Sequence, residues 1–79
     1  MMLKLFVREY CHLCQAMLQD LQPLQAQYGF SLEVYDIDDN EEWEQQYAQL
    51  IPVLVADGQV LSYYHVNFAQ IAAYFAQKA

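Results

Sequence analysis

Residues 2–14 read Met2-Leu3-Lys4-Leu5-Phe6-Val7-Arg8-Glu9-Tyr10-Cys11-His12-Leu13-Cys14. Met2 to Val7 is a nearly continuous apolar run closed by two charged residues, which suits a strand covered on both faces in a mostly parallel sheet. Beyond it comes Cys-x-x-Cys, and from Leu13 the apolar positions Leu13, Met17, Leu21, Leu24 and Tyr28 recur at intervals of four and three. That period belongs to a helix burying one face. The two cysteines therefore fall where a strand ends and a helix begins, and this placement carries both the fold and the chemistry.

A helix start presents unpaired N–H groups and the positive end of the helix dipole, so it favours an anion. A thiol placed there falls from about 8.5 into the range of roughly 3.5 to 7.5. Cys11 is the expected nucleophile. Cys14, one turn later on the same face and more interior, is the expected resolving thiol that attacks a mixed disulfide at Cys11. Protonated His12 and Arg8 would add positive charge near Cys11 while Glu9 opposes them, so the motif leaves the reduction potential open. A disulfide this short staples little chain, which favours a redox role over a structural one. Other readings of the pair are two small buried apolar residues, or half of a zinc site completed by His12 and His65. A module holding a metal or iron–sulfur cluster through Cys11, or a non-catalytic interaction domain, completes the alternatives.

Working outward, Pro23 lies within the first helix and Gly29 supplies a left-handed stop. Ser31 to Ile37 alternates enough for a second strand. Asp39 with Glu42 resembles a capping box, opening a helix that carries Trp43, Tyr47 and Leu50 on one side as core. Val53 to Ala56 and Gln59 to Tyr63 are joined by Asp57-Gly58, the signal of a type I′ hairpin. Asn67 with Gln70 three residues later caps a last helix whose apolar stripe is Phe68, Ile71, Ala72 and Phe75. The order is βαβαββα, an α/β fold read as one domain over residues 1–79.

With 57% hydrophobic residues in a chain of 79, a compact core is attainable without metals or staples. The formal net charge is −7 and the only bases are Lys4, Arg8 and Lys78, so nucleic acid and anionic membrane are poor partners. Asp36, Asp38, Asp39, Glu41, Glu42 and Glu44 crowd one stretch, read as a solvated loop and helix start or as a patch that steers a basic partner. No run approaches a bilayer span, and the opening residues are too abruptly polar for a signal sequence, so a cytoplasmic monomer is expected.

The strand, the C-x-x-C helix start and Ile51-Pro52 before the third strand together resemble the thioredoxin superfamily, in particular its short glutaredoxin-like members. That resemblance spans essentially the whole chain and implies a four-stranded mixed sheet with helices on both faces. It implies a cis bond before Pro52, facing the cysteines, with the Ile51 backbone pairing with an extended substrate. It also places Arg8 where a basic residue contacts a glutathione carboxylate. Activity as a thiol-disulfide oxidoreductase follows, on disulfide-containing proteins or small thiols, with no bound cofactor and with glutathione as a reductant. The chain departs from the family's glutathione-contact pattern at Leu50-Ile51 and at Ser62-Tyr63-Tyr64-His65, where bulk narrows that site. Tyr63, Tyr64 and His65 read either as ordinary packing or as an aromatic lip for a different substrate.

Overall fold

The structure, a computed structural model, describes residues 1–78. The chain runs β1 (Met2–Val7), α1 (His12–Tyr28), β2 (Ser31–Asp36), α2 (Glu41–Tyr47), β3 (Val53–Ala56), β4 (Gln59–Tyr63) and α3 (Phe68–Lys78). A single 3-10 turn, Ile37–Asp39, links β2 to α2. The strands form one mixed sheet in the order β2-β1-β3-β4, with β1 parallel to β2 and antiparallel to β3. This is the βαβαββα arrangement and mixed sheet expected from the sequence.

Side-chain alternation along the strands sorts the core into two layers. Leu3, Leu5, Leu54, Ala56 and Leu61 face one side, where Met17, Leu21 and Leu24 of α1 and Ile71 and Tyr74 of α3 cover them. Phe6, Val53 and Val55 face the other, against Ile37, Trp43 and Tyr47. Phe6 is the centre of that second layer, with ring centroids 4.4 Å from Tyr47, 5.5 Å from Trp43 and 5.6 Å from Tyr35.

The second face is only partly covered, which corrects the reading of β1 as a strand buried on both sides. Helix α2 has seven residues and spans roughly 10 Å, enough to cover the C-terminal end of β1. Met2 and Lys4, on the same face as Phe6, stay exposed.

Local chemistry moves several boundaries. Asp36 Oδ1 accepts from the Asp38 N–H at 2.9 Å, so the chain tightens into the 3-10 turn and β2 ends one residue before Ile37. Asp39 lies inside that turn. The N-cap of α2 is therefore Asn40, whose Oδ1 accepts from the N–H groups of Glu42 at 2.8 Å and Trp43 at 3.4 Å. Helix α1 runs through Pro23 and stops at Gly29, at φ +73° with its N–H on the Gln25 carbonyl. On α1, Cys14 takes the buried position expected of Leu13, which is exposed. On α3 the buried stripe is Ile71 and Tyr74 with Phe75 beside them, while Phe68 and Ala72 are exposed.

Tyr74 turns inward because it has a polar partner. Its hydroxyl donates to Asp57 Oδ2 at 2.7 Å, and Lys78 Nζ lies 3.2 Å from the same oxygen. The hydroxyl first and the ammonium second hold the Asp57 carboxyl below its ordinary value. Both turn residues, Asp57 at φ +52° and Gly58 at φ +75°, have the left-handed backbone a type I′ turn needs. Asn67 caps α3 as expected, accepting from the Gln70 N–H at 3.0 Å.

Phe6→Ala should cost about 3–5 kcal/mol because it empties the aromatic layer, whereas Asn40→Ala should cost about 1 kcal/mol through the lost cap. Urea unfolding of both variants measures the two losses. Equal losses would mean that the Phe6 layer does not hold α2 to the sheet.

Candidate active site

After Val7 the chain leaves the sheet, and Arg8 to Cys11 carries it into α1. Cys11 has the extended backbone of an N-cap, φ −108° and ψ 106°, and its Sγ accepts from the Cys14 N–H at 3.1 Å. The Gln15 N–H closes the first turn on the Cys11 carbonyl at 3.1 Å. Cys11 is thus fixed at the mouth of the helix dipole. Cys14 falls in phase with Met17, Leu21 and Leu24 and is buried with them, 3% exposed, while Cys11 is half-buried at the rim. The Cα atoms are 5.2 Å apart and the two sulfurs form a disulfide. A thiol approaching from solvent meets Cys11 first.

His12 is the first helical residue and is exposed beside Cys11. Immediately before Cys11 stands Tyr10, 96% exposed and held at φ +58°, an uncommon backbone for a non-glycine residue. Sequence reasoning passed over Tyr10. Nothing in its spacing separates a tyrosine displayed to solvent from one that packs.

Strand register brings the remaining residues to the same end of the sheet. Phe6 pairs with Val53 and Val53 with Tyr63, so Ile51-Pro52 and Tyr63 lie level with the end of β1. The Ile51–Pro52 peptide bond is cis, Pro52 is buried and Ile51 is half-buried. Tyr64 holds this segment at two points, its N–H donating to the Pro52 carbonyl at 3.1 Å and its hydroxyl to the Gln49 carbonyl at 2.6 Å. To do so it adopts φ +64°. Tyr63, about half exposed, packs edge-on against Tyr64 with centroids 5.1 Å apart. It also lines an open cavity of about 690 Å³ along the free edge of β4, with Val60, His65 and Phe68. Neither cysteine lines that cavity.

Arg8 is engaged rather than free. Its Nε donates to Asp38 Oδ1 at 3.2 Å and its Nη2 to Glu44 Oε2. The resemblance placed Arg8 toward a ligand carboxylate, whereas here its donors meet the protein's own carboxylates. The acidic stretch is accordingly more than solvated surface, for two of its members clamp this guanidinium. The hydrogen bond with Glu44 chiefly, supported by the charge of Asp38, raises the Arg8 pKa, and the same bond lowers that of Glu44. Among the described residues, no three His, Cys, Asp or Glu side chains converge on a metal position. Among the same residues, no helix is long and apolar enough to cross a membrane.

Comparison with known proteins gives the chain its relatives. A family model described as the glutaredoxin-like domain (DUF836) matches residues 2–76. The solution structure of protein Ne2328 from Nitrosomonas europaea is 39% identical, with TM-score 0.83, covering 91% of this chain and 87% of that one. The X-ray structure of target protein XcR50 from X. campestris is 29% identical, with TM-score 0.73, covering 95% and 96%. Thioredoxin 1 from Thermosipho africanus, 21% identical with TM-score 0.64 over 99% and 98% of the two chains, shares the fold. Among curated proteins no match is found.

Because its folded pKa is depressed, Glu44 contributes stability that is complete above the ordinary carboxyl value of 4.5 and disappears as the pH falls through its lower folded value. The melting temperature of the wild type should therefore exceed that of Glu44→Gln at neutral pH, and the gap should close in acid. A gap constant with pH would show that the Arg8 pair is not its source. Both partners are partly exposed, so salt should narrow the gap as well.

Proposed function

The chain belongs to the glutaredoxin-like domain family, and on that premise we propose that it is a thiol-disulfide oxidoreductase whose working groups are Cys11 and Cys14. The observation that carries this reading is the asymmetry at the helix start. Cys11 Sγ receives the Cys14 N–H at the rim, and Cys14 is buried behind it. A capping amide and a helix dipole stabilise the Cys11 thiolate, the species that attacks.

In the reducing direction the Cys11 thiolate attacks one sulfur of a substrate disulfide, the substrate S–S bond breaks, and the departing thiolate takes a proton from water. Cys14 then gives up its proton and attacks Cys11 Sγ in the mixed disulfide, releasing the second substrate thiol. Two electrons have passed to the substrate, and the protein is left with the Cys11–Cys14 disulfide seen in the structure. A two-electron thiol donor restores the dithiol. The segment at Ile51-Pro52, just outside the β3 ladder and held by Tyr64, offers the Ile51 backbone to an extended substrate strand. His12 and Tyr10, next to Cys11 in the chain, and Tyr63, level with the end of β1, are exposed. The substrate is a disulfide-containing protein or small molecule, and the domain acts as a monomer.

Cys11→Ser should lose turnover, while Cys14→Ser should accumulate mixed disulfides that mass spectrometry detects. Equal activity in the two variants would remove the assigned order of attack. Equilibration with graded glutathione buffers should give a reversible two-electron transition between roughly −180 and −280 mV. A chain that forms no disulfide in any buffer is not an exchanger.

A further inference from the structure

The disposition of charge around the dithiol narrows its substrates. The chain has three Lys and Arg residues in all. Lys4 sits in mid-strand opposite Val55, and Lys78 is bound to Asp57 at the hairpin turn, the far end of the sheet from the cysteines. Arg8 is thus the one Lys or Arg at the cysteine end, and its guanidinium is occupied by Asp38 and Glu44. A carboxylate approaching Arg8 would have to share its guanidinium with two carboxylates already bound to it and stand beside both.

The same end of the sheet gathers most of the protein's acid. Strand β2 runs parallel to β1 and pairs Asp36 with Val7, so the chain leaving β2 emerges beside the one that leads to Cys11. That emerging segment carries Asp36, Asp38, Asp39, Glu41, Glu42 and Glu44, and Glu9 stands two residues before Cys11. Seven of the ten acidic residues lie here, against one engaged base. Oxidised glutathione carries about −2 at neutral pH, from four carboxylates and two ammonium groups. Among the described residues the one Lys or Arg its carboxylates meet at this end is already shared by two carboxylates, and its net charge is repelled. A disulfide flanked by lysine or arginine meets the opposite field.

From these placements we infer that the dithiol acts on disulfides set in basic polypeptide segments and discriminates against anionic thiols and disulfides, glutathione included. The inference rests on the oxidoreductase reading above. The chemistry is the balanced exchange already written, two electrons passing from the Cys11–Cys14 dithiol to the substrate disulfide. What the charges set is which disulfide arrives.

The test uses the full chain, reduced beforehand and freed of reductant, in single turnover with three peptides. The peptides share one disulfide core flanked by lysines, by serines or by glutamates, and liberated peptide thiol is counted against time. Rates should fall in the order lysine, serine, glutamate, with the extremes separated on the order of ten-fold at low ionic strength. The spread should collapse at about 0.5 M salt, where screening acts within a few ångströms. Glu41→Gln with Glu42→Gln should narrow the lysine-to-glutamate ratio, a readout that a uniform change in activity does not move. Three equal rates, a spread that ignores salt, or oxidised glutathione reacting faster than the serine peptide would each overturn the inference while leaving the exchanger intact. A serine peptide that is not reduced at all would overturn the oxidoreductase reading and this inference with it.

Discussion

The hydrogen bond from the Cys14 amide to Cys11 Sγ depends on two pieces of packing on either side of it. Strand β1 is held at the centre of the sheet by Leu3 and Leu5, both fully buried, and it ends where Val7 gives way to charge. Helix α1 is held in rotation by Met17, Leu21 and Leu24, and Cys14 continues that stripe by one more turn. Once Cys14 is locked inward, helical geometry leaves Cys11 at the N-cap, at the rim, with its sulfur against the Cys14 amide. Cys11 is thus placed by the core and reaches the rim only because the helix begins there.

The two ends of the sheet are finished differently. At the hairpin end, Asp57 accepts from Tyr74 and from Lys78, which ties the turn to α3 with one carboxylate and one cation. At the cysteine end, one cation is shared by two carboxylates and more acid surrounds them. The first arrangement balances charge and serves the fold. The second leaves an excess of negative charge beside a group that, in the function proposed, becomes an anion to react, and the helix N-terminus is what opposes it.

Much of this was legible in the sequence, because the signals were periodic or stereochemically exclusive. The spacing of Met17, Leu21 and Leu24 permits only a one-faced helix, and Asp57-Gly58 suits a turn that few other pairs accept. The cysteines were located by where one period ends and another begins. What escaped depends on choices between neighbours of nearly equal propensity. Asp39 and Asn40 are both good caps, and the Asp36 turn decided between them. Phe68 and Tyr74 are both apolar enough for the α3 stripe, and the hydroxyl contact with Asp57 favoured Tyr74. The partners of Arg8 lie 30 and 36 residues away in sequence, beyond any local pattern. The half-covered face of β1 reflects the length of α2, which boundary signals define only loosely.

Cys11 is at once the cap of α1 and, in the function proposed, the residue whose sulfur changes oxidation state. A thiolate brings a full negative charge to the helix N-terminus, whereas a disulfide sulfur brings only a weak acceptor, so the two redox forms do not cap the helix equally. Folding and reduction then form a closed thermodynamic cycle around the same four states. Whatever free energy the thiolate adds to the helix is the free energy by which the folded protein prefers to be reduced, compared with the same cysteines in an unfolded chain. The difference in stability between the reduced and oxidised proteins therefore measures how far folding shifts the oxidising power of the pair from its value in the unfolded chain.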